Sequence, residues 1–113
     1  MAERPKLVKI DTEMQRWCAL LEEELSAWPE VTTKPMFGLT GFYNGGRIFA
    51  AIPRTRAAET ARSVLLKLPG VNDKRIKAAG PGSNWVTFEL ESETDIREAL
   101  SWLERAYEES VLR

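Results

Sequence analysis

Histidine is absent from this chain, and cysteine occurs once, at Cys18. The first absence removes Ser-His and Cys-His nucleophilic catalysis, the commonest general base and nearly every zinc site. The second rules out an internal disulfide and fits a reducing compartment. Long apolar runs are missing as well, none approaching the ~20 residues that span a bilayer. The opening Met1-Ala2-Glu3-Arg4-Pro5-Lys6 meets only Leu7-Val8, too short an apolar patch for a signal peptide. Together these absences lead to the expectation of a cytoplasmic protein. Gly80-Pro81-Gly82-Ser83 lacks the Gly-x-x-x-x-Gly-Lys-Ser/Thr spacing of a phosphate cradle and reads as a loop. No catalytic constellation emerges, so the expected activity is binding, without enzyme chemistry, cofactor or metal.

What is present describes one ordinary domain. The 113 residues are 43% apolar and 29% charged, enough for a single core spanning 1–113, with 1–10 expected as a flexible tail. Thr12 and Gln15 have capping-box spacing. Met14, Trp17, Cys18, Leu21, Leu25 and Trp28 then recur every three or four residues, predicting a helix over 12–28 that Pro29 stops. Cys18 lies on that stripe and is read as a packed, inert thiol. A second helix is predicted from Ser92-x-x-Asp95, with Ile96, Ala99, Leu100, Leu103, Tyr107 and Val111 as its apolar stripe. Trp28 and Trp102 flank the long helices and are candidates for burial between subunits.

Strands are expected at about 32–37, 39–44, 47–52, 63–68 and 85–90. Asn44-Gly45-Gly46 supplies the positive φ of a tight hairpin turn. Val64, Leu66 and Leu68 alternate with Lys67 pointing the other way, and Val86, Phe88 and Leu90 alternate with Trp85, Thr87 and Glu89. The 47–52 strand is apolar on both sides, Ile48, Ala50 and Ile52 against Phe49 and Ala51, which marks it as central. Pro35 cannot donate to a ladder, which puts its strand at an edge. Residues 72–79 are expected as a short helix closed by Gly80. The expected fold class is α+β: two layers, an antiparallel sheet of about five strands with both long helices on one face.

The residues also carry a family resemblance. Met36-Phe37-Gly38, Gly41-Phe42-Tyr43, Gly46-Arg47-Ile48-Phe49-Ala50 and Leu65-Leu66-Lys67-Leu68 resemble the N-terminal domain of the TfoX competence regulators. Trp85-Val86-Thr87-Phe88, followed by a helix ending in Ala106-Tyr107-Glu108, is similar both to that domain and to YjbR-like proteins. The likeness covers roughly 12–110, although here Gly38 is followed by Leu39-Thr40 where the family tends to have adjacent glycines. It implies a two-layer α+β domain, often a homodimer, linked to regulation of DNA uptake or to DNA binding, and it implies no catalytic residue.

Charge is distributed unevenly. Residues 1–33 carry four basic and seven acidic side chains, 34–84 carry nine and two, and 85–113 carry three and eight. A near-neutral total of −1 therefore conceals a basic sheet-and-loop region between two acidic helical ones. Arg54, Arg56, Arg62, Lys74, Arg75 and Lys77 are the candidate anion or nucleic-acid contacts, with Tyr43, Phe49 or Trp85 to stack on unpaired bases. The competing reading pairs these cations with the acidic helices of the same chain or of a partner. The expected function is a regulatory or interaction module that binds a protein partner or nucleic acid. The alternative is a small-molecule site in which the sheet face, Phe42 and Trp85 shape an apolar pocket.

Overall fold

A computed structural model describes residues 9–68, 71, 73–79 and 84–111. In chain order the elements are α1 (Thr12–Ser26), β1 (Val31–Met36), β2 (Leu39–Asn44), β3 (Arg47–Pro53), β4 (Ser63–Lys67), β5 (Ile76–Ala78), β6 (Trp85–Glu89) and α2 (Asp95–Ser110). The strands form one antiparallel sheet in the order β1-β2-β3-β4-β6-β5, and both helices bury their apolar faces against one side of it. This is the α+β architecture expected from the patterning, with six strands among the described residues where about five were expected. The loop at 80–83 and residues 1–8 of the expected tail lie outside the described residues. At Lys9 the chain is already held by an isolated bridge to Arg56, and Ile10 is buried. Among the described residues no helix is long and apolar enough to cross a membrane.

The α1 stripe is as its spacing predicts, with Met14, Trp17, Cys18, Leu21 and Leu25 all buried. Its cap falls one residue earlier than expected. Asp11, not Thr12, accepts from the Met14 N–H at 2.8 Å, and its carboxylate also suits the positive end of the helix dipole. The helix closes at Ser26, where the Ala27 and Trp28 N–H groups tighten onto Glu24 and Leu25 at 3.2 and 3.1 Å. Trp28 then turns inward onto Phe49 and Tyr107. In α2 the Asp95 carboxylate reaches back to the Glu91 and Ser92 N–H groups at 2.8 and 3.2 Å, while the Ser92 hydroxyl bonds Thr94 instead of capping. The α2 face that is buried runs through Ala99, Leu103, Ala106 and Ser110. Leu100 is only half-buried, and Val111, assigned to the stripe, is exposed.

Alternation in β4 and β6 holds: Val64, Leu66, Leu68, Phe88 and Leu90 are fully buried on the helix side. Pro35 lies in edge strand β1, and β3 is third of six. Gly45 and Gly46 take the positive φ that the β2–β3 hairpin needs. Two expectations fail. The helix expected over 72–79 is not found in 73–79, with Asn72 and the closing Gly80 outside the described residues: Ile76, Lys77 and Ala78 pair with Phe88, Thr87 and Val86, so the open edge of β6 decides their conformation. And Phe49 does not face away from Ala50. Pairing jumps from Phe42–Ala50 to Tyr43–Ile48, so Phe49 is the extra residue of a β-bulge, and it and Ala50 are both fully buried.

Candidate functional site

Residues directly opposite in an antiparallel pair share a face. On the side away from the helices this rule traces one row across all six strands: Lys34, Gly41, Ala51, Leu65, Thr87 and Lys77. Five strand spacings make the row about 24 Å long. Its middle is floored by small side chains and its ends carry lysines. Gly41 leaves room there for its neighbours, since a Cβ would stand 2.6 Å from the Met36 sulfur and 3.2 Å from the Tyr43 ring and would have to push the Met36 side chain aside. Lys34 Nζ lies 5.3 Å from the centre of the Tyr43 ring. Lys67 and Trp85 pair directly on the same face, both half-exposed. A depression of about 290 Å³ opens here, walled by Met36, Leu39, Ala51, Leu65, Ala79 and Trp85, with Glu59 also on its lining. A smaller one of about 150 Å³ near β5 is lined by Lys74, Arg75, Lys77, Thr87, Glu89 and Glu91.

The six candidate cations divide into three groups. Arg62 and Arg75 fasten the two helix starts to the sheet. Arg62 pairs with Asp11 at 2.8 Å and Glu13 at 3.3 Å, its guanidinium 4.9 Å from the Trp17 ring. Arg75 reaches Asp95 and Glu98, each at 3.4 Å, donates to the Glu89 carbonyl at 2.9 Å and covers the Phe88 ring at 4.6 Å. Lys74 and Lys77 stay exposed around the smaller depression. Arg54 and Arg56 lie at the β1–β2 turn: Arg54 is exposed, and Arg56 donates to the Phe37 and Ala57 carbonyls. The stacking candidates divide as well. Tyr43 and Trp85 are on the open face, whereas Phe49 is sealed among Trp28, Phe42 and Tyr107. Phe42 is fully buried on the helix side, because it pairs with Ala50, opposite Leu66 and then Val86. It cannot share a pocket with Trp85, which corrects the small-molecule geometry drawn from the sequence.

The helix-start clamp has a pH signature. Burial works against the Asp95 charge, but the Glu91 N–H, the Arg75 guanidinium and the Ser92 N–H outweigh it and hold the carboxyl below its usual range. A carboxyl whose pKa is lower folded than unfolded stabilises the fold above the unfolded value and loses that contribution as pH falls through the folded one. Arg75→Ala is therefore expected to cost about 1–2 kcal/mol at neutral pH, allowing for solvent around the pair. Urea melts should show that gap closing as pH falls from about 5 to about 2. A gap independent of pH would show that Arg75 acts through packing on Phe88 alone.

Cys18 is pushed up to about 12 by burial first and by the Glu22 charge second, so its thiolate is not populated at neutral pH. After the clamps are set aside, Lys34, Arg47, Arg54, Lys67, Lys74 and Lys77 make no ion pair with any described residue. The helices carry nine carboxylates against Arg16, Arg97 and Arg105. The helix layer is thus net acidic, while the open sheet carries Lys34, Lys67 and Lys77 together with the carboxylates Glu59 and Glu89. Lys34 and Lys67 were missing from the sequence-derived site, although the outward parity of Lys67 in its strand was a usable signal. No protein-family model matches the chain, and no curated protein or solved structure matches it either.

Proposed function

We propose that this protein is a non-enzymatic interaction module, resembling the TfoX N-terminal domain, that binds single-stranded nucleic acid on the open face of its sheet. The observation that carries this reading is the row from Lys34 to Lys77, flanked by Tyr43 and by the Lys67–Trp85 pair. Unpaired bases have apolar faces that stack on aromatic rings, and their phosphates need cations alongside. An open antiparallel sheet face that presents both fits a strand with splayed bases better than a duplex, whose bases are stacked on one another. The acidic helix layer turns the molecule, since it repels the same ligand and leaves one face to approach.

Fluorescence anisotropy with a labelled single-stranded oligonucleotide tests the reading. Binding is expected at low salt, with log affinity falling against log salt at a slope of about −2 to −3 if three or four phosphates are neutralised. Absence of binding at low salt would overturn it. A second reading rests on the depression of about 290 Å³, whose walls are apolar and whose lining includes one carboxylate, Glu59. That lining suits a small apolar molecule bearing a cation, and saturable quenching of tryptophan fluorescence by such a compound would favour it.

A further inference from the structure

We propose that the β1–β2 turn is a second contact for the same ligand: Phe37 stacks on an unpaired base, and Lys9 and Arg56, the two cations beside it, hold its phosphate. The inference rests on the nucleic-acid reading but concerns a different part of the molecule, the end of the sheet where both helices begin. Phe37 is 88% exposed, more than any other large apolar side chain described. Its backbone sits at φ 47°, a left-handed conformation that bulky L side chains avoid. Exposure and backbone both work against the free protein, and glycine would relieve both. The turn is also held firmly. The Gly38 carbonyl accepts from the Arg54 and Thr55 N–H groups at 3.0 and 2.9 Å, and the Arg56 guanidinium donates to the Phe37 carbonyl. Gly38 is packed too closely for a side chain, since a Cβ would lie 2.8 Å from Arg56 Cγ.

A ring on a firmly held backbone is therefore presented to solvent beside a depression of about 300 Å³ lined by Lys9, Phe37, Gly38, Thr55 and Arg56. Two cations and a hydroxyl surround it, and no carboxylate is among the described lining residues. This combination matches a nucleotide, whose base offers a π-face and whose phosphate offers charge and acceptors. An anionic membrane would also attract a ring with lysine and arginine beside it. The Asp11 and Glu13 carboxylates at this end, and the presence of a single exposed ring, make the bilayer the poorer partner.

The experiment compares Phe37→Gly, Phe37→Trp and Lys9→Gln with the parent chain, reading melting temperature and single-stranded DNA affinity. Phe37→Gly is expected to leave the melting temperature unchanged or raise it, while affinity falls about 5- to 100-fold and the salt slope stays constant. Phe37→Trp should retain affinity. Lys9→Gln should flatten the slope by about 0.7. A Phe37→Gly chain that binds as tightly as the parent overturns the inference, and if Lys34→Glu with Lys67→Glu still abolishes binding, the sheet-face reading survives. The reverse pattern, loss with Phe37→Gly and none with the lysine reversals, would keep the turn and remove the sheet face. Binding of the parent to phosphatidylserine vesicles in place of the oligonucleotide, lost in Phe37→Gly, would reassign the turn to membranes and overturn the proposal.

Discussion

Phe49→Ala is expected to destabilise the protein by about 3–5 kcal/mol, the range for emptying a buried phenylalanine site. The side chain is fully buried, with ring centres 5.4 Å from Tyr107, 6.4 Å from Trp28 and 6.5 Å from Phe42. Those three partners lie in α2, in the segment just after α1 and in β2, so one ring joins three parts of the fold. Tyr107 adds to the joint by donating its hydroxyl to the Pro29 carbonyl at 2.6 Å, and its own carbonyl accepts from the Asn44 amide at 3.0 Å. Relief is blocked because the bulge fixes where Phe49 points. For a domain with roughly 5–15 kcal/mol of stability, the loss is a large fraction of the total. Leu21→Ala should fall in the ~2–5 kcal/mol band and half-buried Leu100→Ala below it. Urea melts measure all three, and a cost below about 0.5 kcal/mol for Phe49→Ala would mean that the joint does not exist.

Phe49 also shows where sequence reading runs out. Period-two alternation puts it opposite Ala50, and only the skipped pairing at Phe42–Tyr43 brings both inside. A bulge leaves no mark in the local pattern, so a residue expected to meet bases is instead the centre of the aromatic cluster. Elements whose period spans many residues were legible: the α1 stripe from Met14 to Leu25, and the alternation of β4 and β6. β5 was not, because three residues cannot display a period, and its conformation is set by pairing with β6. The clamps escaped for a related reason. Arg62 meets Asp11 across 51 positions and Arg75 meets Asp95 across 20, and counting charges says nothing about which ones converge. Phe37 was legible as part of a turn motif. Its exposure was not, since it follows from the Gly38 carbonyl being tied to the 54–56 segment.

The central claim is that the open sheet face, and not charge in general, binds nucleic acid. Two doubly substituted chains separate these ideas, Lys34→Glu with Lys67→Glu on the sheet and Arg97→Glu with Arg105→Glu on α2. Both pairs shift the net charge from −1 by the same amount, so long-range repulsion changes equally. At ~30 mM salt each neutralised phosphate is worth about tenfold in affinity, since counterion release contributes about 0.7 of a power of the salt concentration. The measurement is anisotropy titration of single-stranded DNA against the parent and both doubles at that salt. The account predicts a loss of about 100-fold for the sheet pair and a change of only a fewfold for the helix pair. Equal losses in the two doubles, or unchanged affinity in the sheet pair, would contradict it.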